Sequence, residues 1–207
     1  MPSPRVTWNA GSVTRVDRAR LLGGGGATIW FTGLPGSGKS TLAAAVEREL
    51  VLAGRAAYRL DGDNLRTGLN GDLAFGRADR EENVRRVAEV ACLFADAGLV
   101  ALAALISPHA GARRAARALH ETAGLPFVEV YLDTPVALCE ERDTKGLYAE
   151  ARAGRLRSFT GVDDPYDVPE RPDVVVRPET GPDAAVAQVV SALEHCSPGT
   201  GRCVGRG

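Results

Sequence analysis

Apolar and polar positions fall in blocks along this chain, and the blocks alternate between two periods. The run Ala27–Thr32 (ATIWFT) is apolar, β-branched and aromatic, and it breaks at Gly33, as expected of a buried strand. Residues 41–53 carry alanine, leucine and glutamate up to Gly54, which predicts a helix, and 56–60 offer a second strand ending at Asp61. From Asp79 the residues Val84, Val87, Ala88, Ala91 and Phe94 recur at helical spacing, with acidic residues in the first turn and Gly98 at the stop. Residues 99–106 (LVALAALI) are apolar throughout, the mark of a strand buried on both faces of a parallel sheet. A helix over 110–123, a strand over 127–132, a helix over 135–142 and a strand over 174–177 follow. A closing helix behind Pro182 then shows Val186, Val189, Val190 and Leu193 on one face. The βα alternation predicts an α/β protein: a three-layer fold with a five-stranded parallel sheet, helices on both faces, and a ligand crevice beyond the carboxyl ends of the strands. Residues 143–167 are charged, punctuated by glycine and poor in core residues, so they read as a mobile lid rather than a packed element.

With 207 residues the chain fits one domain, expected over 27–196 behind a lead-in of 1–26 and ahead of a disordered tail of 197–207. The net charge of -1, from 25 basic and 26 acidic residues, argues against a nucleic-acid backbone or an anionic membrane as the main partner, so any anion site is local. No apolar run is long enough to cross a bilayer and the start lacks a signal-peptide core, which makes the cytoplasm the expected location. Cys92, Cys139, Cys196 and Cys203 are widely spaced and read as free thiols. Arginine carries nearly all the positive charge. The two lysines, Lys39 and Lys145, are candidates for places that need a compact ammonium on a flexible stem.

The sharpest motif is Gly33-Leu34-Pro35-Gly36-Ser37-Gly38-Lys39-Ser40, which fits G-x-x-x-x-G-K-[ST] between a predicted strand and a predicted helix. Its glycines let backbone N–H groups turn inward around phosphates and the helix N-terminus adds its positive dipole end. Lys39 reaches the β- and γ-phosphates and Ser40 holds Mg²⁺, so the cofactors expected are ATP and Mg²⁺. Gly33, Gly36, Ser37, Gly38, Lys39, Ser40 and Thr41 are the nucleotide-binding candidates, joined by Arg142 from the lid. The cluster Asp61-Gly62-Asp63-Asn64-Leu65-Arg66 sits at the carboxyl end of the second strand, facing the same crevice. One carboxylate there can take an acceptor proton or hold a metal-bound water, and Arg66 supplies an anion-binding fork. Arg80 and Asn83 share a helix face, and Phe75 is an aromatic in a polar loop suited to a nucleobase. No Asn-Lys-x-Asp motif occurs, which excludes a guanine-nucleotide switch. A P-loop kinase of a small hydroxyl acceptor is the reading. A nucleotide-binding regulatory domain without turnover is the rival from another class.

These residues resemble the adenylylsulfate kinases, a P-loop kinase family that phosphorylates the 3′-hydroxyl of adenosine 5′-phosphosulfate. The likeness runs from the lead-in through Asp79-Arg80-Glu81-Glu82-Asn83, Ile106-Ser107-Pro108 and Asp143-Thr144-Lys145-Gly146-Leu147-Tyr148 to Phe159-Thr160-Gly161. It implies that Asp63, Asn64, Leu65, Arg66, Phe75, Arg80, Glu81, Glu82, Asn83, Ile106, Ser107, Lys145 and Phe159 surround the adenylylsulfate, with Phe75 and Phe159 sandwiching its adenine. It further implies Asp63 as acceptor of the hydroxyl proton, Asp61 in the Mg²⁺ shell, a homodimer, and a catalytic role for Ser107, described as a phosphoserine intermediate in some bacterial members. Direct in-line transfer is the simpler chemistry. The chain departs from the family pattern at Pro35, Ala74, His109, Ala112 and Ser158, at the edge of the acceptor pocket.

Overall fold

The computed structural model describes Asn9, residues 11–143 and residues 145–196; Cys203 and the tail of 197–207 lie outside them. Five parallel strands form one sheet: β1 (Ala27–Thr32), β2 (Ala57–Asp61), β3 (Val100–Ala104), β4 (Phe127–Leu132) and β5 (Val174–Val176), in the spatial order β2-β3-β1-β4-β5. β1 pairs with β3 on one side and β4 on the other, so the chain reverses its winding beside β1 and leaves a crevice at that strand's carboxyl end.

The period of two along each strand divides the core in two. Ile29, Phe31, Val100 and Leu102 face α2 (Lys39–Leu52) and α8 (Pro182–Glu194), where Val46, Leu50 and Val189 complete one cluster. Trp30, Ala101 and Ala103 face α4 (Arg77–Ala97) and α5 (Ala110–Thr122), packing on Val87, Ala88, Ala91 and Ala116. Alanines on this second face let α4 approach closely while Trp30 and Phe127 stack beside them, with ring centroids 5.9 Å apart. β3 is shorter than the apolar run 99–106 predicts, because Ile106 leaves the ladder and gives its carbonyl to the Thr32 hydroxyl at 2.8 Å.

Three short helices lie outside the sequence expectation. α1 (Arg15–Leu21) buries no residue. A Thr14/Asp17 capping box starts it, and Arg15 and Arg18 tie it to Asp96 at 2.7 and 3.2 Å. α3 (Gly62–Leu65) is one turn capped by Asp61. α7 (Leu147–Arg152) lies inside the predicted lid, and with it comes a correction: this segment is not without a core. Tyr148, Ala151 and Phe159 are buried with Cys139 of α6 (Val136–Arg142) in a third, small cluster against Leu34. Its apolar residues are spaced too irregularly among charges to show a period.

Candidate active site

The phosphate loop follows directly from β1. Gly36 and Gly38 hold left-handed backbone, φ 74° and 99°, which a side chain would strain. A Cβ at Gly36 would also stand 3.0 Å from the Cys139 carbonyl. The turn delivers the first-turn amides of α2, which have no partner within the helix, to the crevice. Lys39 is buried there, and its Nζ donates to the carbonyls of Gly33 and Leu34 at 2.9 and 2.6 Å and to Ser37 Oγ at 3.3 Å. Burial pulls its pKa down to about 8, against the opposing pull of Cys139, Asp63 and Asp61. An ammonium held this way gains from any polyanion that enters.

Across the crevice, Asp61 ends β2. It is buried, caps α3 by accepting the Asp63 N–H at 3.0 Å, and takes an ion pair from Arg59 at 2.8 Å. Asp63, by contrast, is exposed and reaches Lys145 in the segment beyond α6. Arg66 lies over the Phe75 ring at 4.4 Å and donates to the Leu73 and Ala74 carbonyls, so Phe75 keeps an exposed ring beside the cleft. Arg80, buried in the first turn of α4, spends its whole fork on protein: Nε on Phe75 O at 2.8 Å, Nη1 on Thr160 Oγ1 at 2.9 Å and Nη2 on Ser158 O at 2.5 Å. Ser158 is left-handed at φ 55°, the physical reason glycine suits this place. Phe159 is buried edge-on against Tyr148, whose hydroxyl donates to Pro35 O at 3.0 Å.

One cleft of about 900 Å³ receives both sides. It is lined by Gly36, Ser37, Gly38, Lys39, Ser40 and Thr41 of the phosphate loop and helix, by Asp61, Asp63, Asn64, Arg66 and Phe75, by Arg80, Asn83, Ile106 and Ser107, and by Arg142, Lys145 and Phe159. Gly33 lies beneath it, offering its carbonyl to Lys39. Three expected residues are not brought there. Leu65 packs against the α4 core. Glu81 pairs with Arg77 at 3.1 Å, and Glu82 is held at a pKa of about 2 by hydrogen bonds from Arg85 and Arg86. Helical rotation explains this: with Arg80 and Asn83 facing inward, Glu81 and Glu82 are carried around α4 by about 100° and 200°.

Ser107 is buried at φ 40°, its hydroxyl accepting from Trp30 Nε1 at 3.1 Å and donating to Thr32 Oγ1 at 2.9 Å. A left-handed serine costs about 1–3 kcal/mol, so surrounding contacts hold it. Among the described residues no group of three or more His, Cys, Asp or Glu could hold a metal ion. The exposed Ser40 and the Asp61 carboxylate nonetheless line one cleft and offer hard oxygen ligands, a set that fits Mg²⁺ carried in on phosphates.

The family model described as adenylylsulphate kinase matches residues 25–177. The chain belongs to the adenylylsulphate kinase family. It is 53% identical to the adenylyl-sulfate kinase of Citrobacter koseri over 191 residues, 92% of this chain and 94% of that one. Identity to the adenylyl-sulfate kinase of Penicillium chrysogenum is 50% over 200 residues, 93% and 95% of the two chains. The structure of the Mycobacterium tuberculosis APS kinase in complex with AMPPNP and APS superposes with a TM-score of 0.80 at 53% identity, covering 82% of this chain and 98% of that one.

The sequence reading missed part of the lining of the cleft. Val176 lines it from the end of β5, Arg177, Pro178 and Thr180 from beyond that strand, and Thr134 from beyond β4. Their only signal was position past the carboxyl end of a parallel strand. Arg59 was missed although it stands two residues before Asp61 on the same face of β2, and Tyr148 because its hydroxyl acts on Pro35, 113 positions away.

Proposed function

We propose that this chain is an adenylylsulfate kinase, transferring the γ-phosphate of ATP to the 3′-hydroxyl of adenosine 5′-phosphosulfate and yielding 3′-phosphoadenosine 5′-phosphosulfate and ADP. The observation that carries this reading is the single cleft into which a phosphate loop, an exposed carboxylate and an aromatic wall all open.

In this mechanism the α2 amides and Lys39 grip the triphosphate, exchanging the Gly33 and Leu34 carbonyls for phosphate oxygens. Phe75 and Phe159 flank the acceptor's adenine. Asp63, freed from Lys145, takes the proton of the 3′-hydroxyl as its oxygen bonds to the γ-phosphorus and the bond to the ADP oxygen breaks. Lys145 and Arg142 then face the phosphates and neutralise charge. Ser40 and Asp61 would hold Mg²⁺, which when bound draws off charge from the β- and γ-oxygens. Ser107 serves as wall, since its hydroxyl is buried and engaged in both directions, and transfer is direct. The active form in this reading is a homodimer.

ADP release with adenylylsulfate against a panel of small alcohols and sugars tests the proposal. Release that depends on adenylylsulfate and on no other acceptor is expected. Release with a sugar instead, or tight ATP binding with no acceptor-dependent release, contradicts it.

A further inference from the structure

Arg113, in the first turns of α5, is buried and lies behind the cleft rather than in it. Its Nε donates to Glu129 Oε1 on β4 at 3.0 Å, which supplies the countercharge. The other two nitrogens go to backbone carbonyls: Nη1 to Ser107 at 2.7 Å and Pro108 at 3.1 Å, Nη2 to Asp167 at 2.6 Å. Ser107 and Pro108 line the cleft, and Asp167 closes the segment that carries Lys145 and Phe159. The same two stretches are stitched further. Asp167 N donates to Pro108 O at 2.9 Å, and Asp167 Oδ2 accepts from Ala110 N at 3.0 Å. Tyr166 shares a 2.8 Å hydrogen bond with Thr32 Oγ1, the group that also accepts from Ser107. The left-handed Ser107, at φ 40°, is held from its side chain by Trp30 and Thr32 and from its carbonyl by a planar fork that reaches three carbonyls in two separate segments.

We infer that Arg113 is a positioning residue: it fixes the acceptor wall at Ser107-Pro108 and fastens to it the far end of residues 143–167, while none of its own hydrogen bonds goes to the phosphate loop. The substrate named in the test rests on the proposed function, whereas the clamp itself has a readout that does not.

Arg113→Lys keeps the charge and loses the fork. It is expected to raise the KM for adenylylsulfate by at least about tenfold while the Kd for ATP stays within about twofold, because only one wall of the site is loosened. Trypsin should cut at Arg152, Arg155 or Arg157 at least about fivefold faster than in the wild type, at a temperature well below melting. Should Arg113→Lys fail to fold, Tyr166→Phe carries the test, with the same split at about threefold. Unchanged cleavage, or an acceptor KM and an ATP Kd that move together, overturns the clamp. Faster cleavage in a protein whose wild type is inert toward adenylylsulfate keeps the clamp and discards the substrate.

Discussion

The two sides of the cleft are built in opposite ways. The phosphate side is one continuous stretch, 33–41, whose geometry follows from its own glycines and the helix it opens. The acceptor side is assembled from four separated stretches, around Asp63, Arg80, Ser107 and Phe159, and buried arginines hold it together from behind. A local motif carries its chemistry in the order of its residues. An assembled wall carries it in contacts between residues up to 134 positions apart.

That contrast can be broken or sharpened by substitution. Lys39→Ala removes the ammonium proposed to grip the triphosphate and is expected to lower kcat by about 10²–10³-fold while the melting temperature changes little, since burial already disfavours the ammonium. Steady-state ADP release alongside a thermal melt checks it. A large stability loss would mean that Lys39 braces the loop instead.

Arg80→Ala should act on the other side. Three hydrogen bonds to Phe75, Ser158 and Thr160 vanish together, so the acceptor KM should rise by about tenfold and stability fall by about 2–4 kcal/mol, with ATP affinity nearly unchanged. Urea denaturation and separate titration of the two substrates distinguish these effects.

The phosphate side should also show a pH signature in ATP binding. In the ligand-free protein Lys39 gives up its proton as pH rises through about 8, whereas bound phosphate favours the charged form. ATP affinity should therefore weaken above that pH, and binding there should take up protons. Calorimetry in buffers of different ionisation enthalpy reads the uptake; none at high pH would place the Lys39 pKa near its ordinary value.

The smallest effect concerns strain. Ser158→Gly relieves a left-handed serine at φ 55°, and a gain of about 0.5–1 kcal/mol is expected by denaturant melts.

The same contrast governs what could be read from the sequence. β1 and β4 match their apolar runs to the residue, and α4 stops at Gly98 as its spacing requires. The phosphate loop, the paired aspartates and Arg80 were legible from motif and helix face. Glu81 and Glu82 came with a resemblance that treats a string as a unit, and helical rotation turned them away. The burial of Tyr148 and Phe159 was invisible because their partners, Cys139 and Leu34, belong to other elements. Arg113 gave no signal at all, since one arginine among many on an arginine-rich helix shows nothing until three carbonyls converge on it.

The central claim is that both sides meet over one transferred phosphoryl group. Incubating the protein with ATP labelled at the γ-phosphate and with adenylylsulfate, then locating the label by phosphorus NMR, tests it directly. Label on the 3′-position of the adenylylsulfate is predicted; label that stays on ATP, or leaves only as inorganic phosphate, contradicts it.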